Sequence, residues 1–312
     1  MTAGERVQVP DSCIEVSALC PVEGTLYGYA PSIGANATFA AIFFICLIIH
    51  LILGIRYKTW TFMIALGFGC LGEGIGYIGR ILLWNNPYDE LGFQIQICCL
   101  IISPAFIAAG VYLTLKHIVI NFGERWSRLR PSWYTRFFIG GDILSLVLQG
   151  AGGGIAATAE RGSTMLDVGT NLMIAGVIWQ VVCLGLFGYF LAEYTFRTHR
   201  HRDELTPESM TLFHSKKFRL FVGATMTAYV TILARCIYRI PELTGGWGNP
   251  LMRAEVEFIV LEGLMIVISV LVLTVFHPGY CFPALANTIG KSRRQKSRTS
   301  SDLDIDKMHI IY

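Results

Sequence analysis

Within the long apolar stretches of this sequence very few residues are able to do chemistry. They are Glu73 and Arg80, Asp142 and Gln149, Gln180, then Arg235, Arg239 and Glu242, and finally Glu255 and Glu262. An ionisable group in a segment that crosses a bilayer costs about 3 kcal/mol or more on insertion scales, so each needs a partner, a wet cavity or a function. Positions seven apart nearly superimpose after two helical turns. Glu73 and Arg80 therefore share a face, as do Asp142 and Gln149, and Glu255 and Glu262. Arg235, Arg239 and Glu242 continue the pattern at i, i+4 and i+7. Side chains of these types can hold a charged head group, carry a proton, or lock helices together as ion pairs. Arg235 and Glu262 fall at similar depth and are expected to pair.

Other chemistries have no footing. No G-x-x-x-x-G-K-[ST] run is present to bind a nucleotide, so active transport would draw on an ion gradient or on lipid asymmetry. His50, His117 and His277 are too scattered to suggest a paired zinc motif, and no C-x-x-C or H-x-x-x-H spacing occurs. The last apolar stretch has no lysine for a Schiff base. We expect no catalytic residues, no metal and no cofactor, and no nucleic-acid partner.

The elements that must position these residues are membrane helices. Charged residues make up 15% and hydrophobic residues 53% of the 312-residue chain, against about a quarter charged in soluble domains. Seven apolar blocks have the length needed to cross a hydrocarbon core of about 30 Å. They are residues 36–54, 60–83, 93–116, 137–158, 168–190, 218–238 and 256–276, the fourth diluted by Gly140, Gly141 and the run Gly152, Gly153 and Gly154. The fold class expected is an all-α seven-transmembrane-helix bundle, with residues 1–35 preceding it and a polybasic tail, 281–312, following it. The start of the chain has neither a basic n-region nor an apolar run, so no cleaved signal peptide is expected and the first helix serves as its own signal.

Basic residues orient the bundle. Nineteen of the 25 Lys and Arg residues fall in the loops and tail on one side, which the positive-inside bias makes cytoplasmic. The N-terminus is then outside and the C-terminus in the cytoplasm. Cys13 and Cys20 lie on the outer side, where oxidising conditions let them pair. At about 1.5 Å per residue, Arg80, Arg235, Arg239, Glu255 and Glu262 gather in the outer half, Glu73 lies near the middle and Asp142 lies towards the cytoplasm. An outward-facing polar pocket is expected. The glycines of the second span, with Gly72 and Gly76 at small-x-x-x-small spacing, predict close helix contact, and Pro104 marks a loosened third span. The tail segment from Lys291 to Ser300 has the composition of an anionic-lipid contact.

Taken in order, these residues resemble the fungal RTA-like family of seven-helix lipid-translocating exporters, whose members include the sphingoid long-chain-base exporter. The resemblance runs from Tyr29 to Gly279. It is carried by Tyr29-x-Pro31-Ser32 with Asn36 and Phe39, Glu73-x-x-Gly76-Tyr77-x-x-Arg80, and Pro104-x-Phe106-x-x-Ala109-x-x-Tyr112. It continues in Asp142 with Gln149-x-x-Gly152-Gly153, Gly176 with Gln180, Arg235-x-x-Tyr238-Arg239-x-x-Glu242, Glu255, Glu262 and His277-Pro278-Gly279. Two departures stand out. Glu262 occupies a position where many members have Asp, and the segment Leu220 to Thr225 lacks the acidic residue expected after Phe218-Arg219.

The resemblance implies a non-enzymatic translocator that exports amphiphilic lipids or lipid-like toxicants, a sphingoid base or a sterol-like compound, and contributes to resistance. Membrane lipids and the cargo would be its partners and the plasma membrane its location. A cationic head group would prefer Glu73, Glu255 or Glu262, and Glu73 and Glu262 are the proton-carrier candidates. Two rivals belong to other classes. A seven-helix receptor for a lipid ligand would show G-protein coupling without lipid flux, and an intramembrane lipid hydrolase would contain zinc.

Overall fold

In a computed structural model of the chain, residues 13–122, 131–159, 163–201, 207–246 and 248–281 are described. The basic tail lies outside them, as do residues 123–130, which hold three of the arginines used for orientation. The described residues form helices and no strand. Helices α1 (Ile33–Tyr57), α2 (Trp60–Asn85), α3 (Glu90–Phe122), α4 (Pro131–Thr158) and α5 (Thr164–Arg200) are followed by the short α6 (Pro207–His214) and by α7 (Lys216–Thr244). The seventh span, Glu255–Cys281, is composite: α8 (Glu255–Glu257), a π-helical stretch Phe258–Leu264, α9 (Met265–Val275) and α10 (Pro278–Cys281). Seven helices are therefore long and apolar enough to cross a membrane, and the molecule is a multi-pass membrane protein.

The helices outrun the apolar blocks of the sequence because polar residues continue a helix that packing has already nucleated. α3 extends six residues past Lys116 and α5 ten past Phe190, ending with Arg197, His199 and Arg200 in its last turn, where basic groups complement the carbonyl end. α1 stops at Lys58, whose left-handed backbone (φ 56°) turns the chain straight into α2.

α2 packs most extensively on α3, α4 on α5, α1 on α2, and α7 on α9. Glycine permits the first two contacts. A methyl group on Gly72 would lie 2.2 Å from Ser103 Oγ, and one on Gly79 would lie 2.7 Å from the Gly92 carbonyl oxygen. In α4, a methyl on Gly152 would lie 2.6 Å from the carbonyl oxygen of Gly169 in α5. Two of the glycines that weaken the hydropathy of the fourth span, Gly141 and Gly152, thus lie where its backbone meets α5. Aromatic residues fill the core: Tyr112, Phe138 and Phe187 meet at ring distances of 4.6–5.6 Å, and Tyr77 stacks on Phe43 at 5.7 Å. Large apolar side chains such as Ile48, Ile143, Val230 and Val275 remain exposed on the outside of the bundle, as a lipid-facing surface requires.

Candidate functional site

Three arginines and three glutamates come together between α2, α3, α7 and the seventh span. Arg235 meets Glu262 Oε1 at 2.5 Å, and Arg239 reaches the same oxygen at 3.2 Å while donating to Glu242 at 2.9 Å. Glu262 is 1% exposed and Arg235 3%. Arg235 also donates to the carbonyl of Leu100. That acceptor exists because of Pro104: a proline has no N–H for the carbonyl four residues earlier, so the loosened turn of α3 offers an oxygen to the guanidinium. Glu262 sits in the π-helical stretch of the seventh span. Such stretches are rare and insert an extra residue into the turn.

Arg80 is fully buried and forms no salt bridge among the described residues. Its Nε donates to Asn36 Oδ1 at 3.0 Å and its Nη2 to the Tyr29 hydroxyl at 3.1 Å. The guanidinium lies over Phe258, 3.8 Å from the ring centre, and Nη1 has no hydrogen-bond partner. Glu73, two turns away on the same helix, is 1% exposed and forms no salt bridge among the described residues. Its Oε1 accepts no hydrogen bond. Glu262, Arg235 and Arg239 are nevertheless close enough to act on it electrostatically. Among the described residues, one cation and one anion of the network thus stand outside its ion pairs.

The network is closed by the segment that precedes α1, where sequence reasoning expected an outward-facing pocket. Tyr29 caps Arg80, and the Tyr27 hydroxyl accepts from Gln96 Nε2 at 2.7 Å. Burial pushes both phenols above their ordinary values, against the opposing pull of the Arg80 charge. The segment is held by a Cys13–Cys20 disulfide, by Asn86 donating to the Ile14 carbonyl and by the Tyr88 hydroxyl donating to the Pro21 carbonyl. Tyr27, Asn36 and Gln96 were not among the candidates, because an isolated polar residue at the edge of a span has no sequence partner to betray its role.

Other candidates lie outside the buried ion pairs. Glu255 accepts from the Ser32 N–H at 2.5 Å at the exposed rim. The π-helical insertion between Glu255 and Glu262 breaks the seven-residue register that put them on one face. Gln149 donates to Ser145 at 2.6 Å and to Gln180 at 3.3 Å, fastening α4 to α5. Asp142 shares a helix with Gln149 but faces Tyr112. At the opposite end of the bundle His50 and His277 approach to 5.9 Å between ring centres, and His50 Nε2 lies 2.9 Å from Thr274 Oγ1. Sequence separation concealed that pairing, since α1 and the last turn of the seventh span become neighbours only in the closed bundle. No group of three metal-ligating side chains occurs among the described residues.

Seven apolar helices enclosing a buried network of three arginines and three glutamates define a polytopic membrane protein. The chain belongs to the RTA1-like protein family, which it matches over residues 66–285. It is 32% identical to the sphingoid long-chain base transporter RSB1 of Saccharomyces cerevisiae over 296 residues, covering 85% of this chain and 76% of that protein. It is 29% identical to Protein RTM1 of the same yeast over 251 residues (78% and 77% covered). Protoporphyrin uptake protein 1, also from Saccharomyces cerevisiae, is 32% identical over 209 residues (66% and 65% covered). These relatives carry the names of transporters or uptake proteins, RTM1 excepted. No solved structure matches the chain.

Proposed function

We propose that this protein translocates single-chain amphiphilic amines of the sphingoid-base type across its membrane, with its N-terminus outside and its basic tail in the cytoplasm. Export from a fungal plasma membrane, protection against toxic amphiphiles and contact of the tail with anionic lipid complete the reading. The observation that carries it is Glu73, a carboxylate buried at mid-helix beside arginines already engaged by Glu262 and Glu242. A carboxylate so placed gains most from an ammonium, which supplies both charge and hydrogen-bond donors. The name of the relative RSB1 agrees with such a cargo.

The network also gives the ammonium a reason to leave. Glu73 lies within the field of two arginines, which repel a second cation, so binding is limited in strength. The test is flux of labelled sphingoid base in proteoliposomes containing the parent protein or Glu73→Gln, with phosphatidylcholine and a sterol as controls. The expected result is loss of amine flux by about tenfold or more, a difference of at least about 1.4 kcal/mol. Unchanged amine flux in correctly inserted Glu73→Gln refutes the assignment.

A further inference from the structure

The seventh span is held unequally on the two sides of its π-helical stretch. After the stretch, Ile266, Val270 and Leu273 of α9 are fully buried, and α9 packs extensively on α7. Before it, no residue of α8 is buried, and Val256 is 73% exposed. Within it, Gly263 lets the backbone press onto α1 and α2: a methyl there would lie 2.5 Å from the Phe39 ring and 2.8 Å from the Tyr77 hydroxyl oxygen. The loosely held end nevertheless secures the segment that closes the network. Glu255 Oε1 accepts from the N–H of Ser32, the N-cap of α1, at 2.5 Å. Arg253 lies against Gly28, where a methyl would meet its Cζ at 3.3 Å. The Phe258 ring lies against the guanidinium of Arg80, which in turn holds the Tyr29 hydroxyl.

We infer that the π-helical stretch Phe258–Leu264 is the hinge of a gate formed by the N-terminal segment, and that its conversion to ordinary α-helix releases that segment from the network. A π turn closes i→i+5 rather than i→i+4, and so holds one residue more than an α turn. Conversion rotates one end of the helix against the other by about 100° and shifts it by about 1.5 Å, the increment of one residue. Because α9 is anchored in the core, the movement falls on residues 253–258. Glu255 and Arg253 then leave Ser32 and Gly28, and Phe258 leaves Arg80, in a single displacement. At the other end of the hinge, Glu262 is fixed by Arg235 and Arg239. Those ion pairs hold the present register. A cation that competes for Glu262 therefore loosens the N-terminal segment without touching it. This coupling to cargo rests on the translocation reading, whereas the hinge does not.

The test is hydrogen–deuterium exchange of the full chain in nanodiscs without cargo, with peptides of α4 and α5 as the measure of global opening. Deletion of Val260, which is 38% exposed, removes the extra residue and leaves both ends of the span in their present register. Exchange in residues 13–31 should then slow by about fivefold or more, because opening has lost its hinge. Glu262→Gln, which acts at α7, should speed the same exchange by about fivefold or more beyond any change in α4 and α5. Equal exchange in the parent and the deletion variant overturns the hinge. So does a Glu262→Gln variant whose exchange in 13–31 changes only in step with α4 and α5. Should the deletion variant fail a thermal-stability check, Glu262→Gln decides the matter. Flux in proteoliposomes separates the hinge from the cargo. A parent that moves no amphiphile but exchanges as expected removes the translocation reading and leaves the hinge standing, whereas slowed exchange with lost flux in the deletion variant supports both.

Discussion

Removal of Glu262 should cost more than removal of Arg235, an asymmetry that follows from the way the two are shared. Glu262 Oε1 serves Arg235 at 2.5 Å and Arg239 at 3.2 Å. In Arg235→Gln the carboxylate keeps Arg239, and the new amide can still donate to the Leu100 carbonyl. In Glu262→Gln, Arg235 loses its one ion-pair partner among the described residues, in a site 3% exposed, whereas Arg239 keeps Glu242. Breaking a buried pair by removing one partner costs about 3–5 kcal/mol, which is the expectation for Glu262→Gln. For Arg235→Gln, where a second cation remains, about 1–3 kcal/mol is expected. The double substitution should fall short of the sum by about 1–3 kcal/mol, the coupling of neighbours in one network. At about 2–4 °C per kcal/mol, the first loss becomes roughly 6–20 °C in thermal unfolding monitored in detergent. Exchange of the two charges should not restore stability. A new arginine at position 262 would face Arg239, and a new glutamate at position 235 would point its oxygens at the Leu100 carbonyl. Full recovery by the exchange, strictly additive single losses, or a larger loss for Arg235→Gln would each refute this account of the network.

Four further outcomes are expected. Gly72→Val should destabilise the bundle by about 1–3 kcal/mol through its clash with Ser103, whereas Gly150→Ala, which meets nothing within 4 Å, should be close to neutral; detergent melting curves compare the two. Tyr27 and Tyr29 have phenol values raised above the unfolded reference of 10.0, so their contribution is complete below that pH and is lost as pH rises through the higher folded values. Hydrogen exchange in the segment 13–31 should therefore accelerate at strongly alkaline pH, and the double variant Tyr27→Phe, Tyr29→Phe should flatten that dependence. A C-terminal epitope should stain only after permeabilisation of cells, and staining of intact cells would reverse the proposed orientation. Pro104→Ala should restore an N–H to bond the Leu100 carbonyl, compete with Arg235 for it, and lower transport without loss of surface protein, as measured by flux per inserted molecule.

The sequence alone determined the class of the molecule and singled out the charged residues inside its spans. Apolar blocks of bilayer length, divided by polar turns, leave helices as the structure that satisfies every backbone group in lipid, so a bundle of seven such helices was legible. The cost of burying charge singled out Glu73, Arg80, Arg235, Arg239, Glu242 and Glu262 before any geometry was known. Which of them touch was another matter. Helical periodicity places residues on a face but carries no information about which helix lies opposite. It therefore grouped Asp142 with Gln149, whereas the bundle turns one towards Tyr112 and the other towards Gln180. Nor does it foresee the π-helical stretch of the seventh span, where Glu262 meets Arg235 while Glu255 accepts from the Ser32 N–H. The closure of the network by Tyr27 and Tyr29, the capture of the Leu100 carbonyl by Arg235 and the approach of His50 to His277 all join residues far apart in the chain. Such contacts form only when packing has fixed the order of the helices, and that order is decided by surface complementarity between helices, which no local pattern encodes.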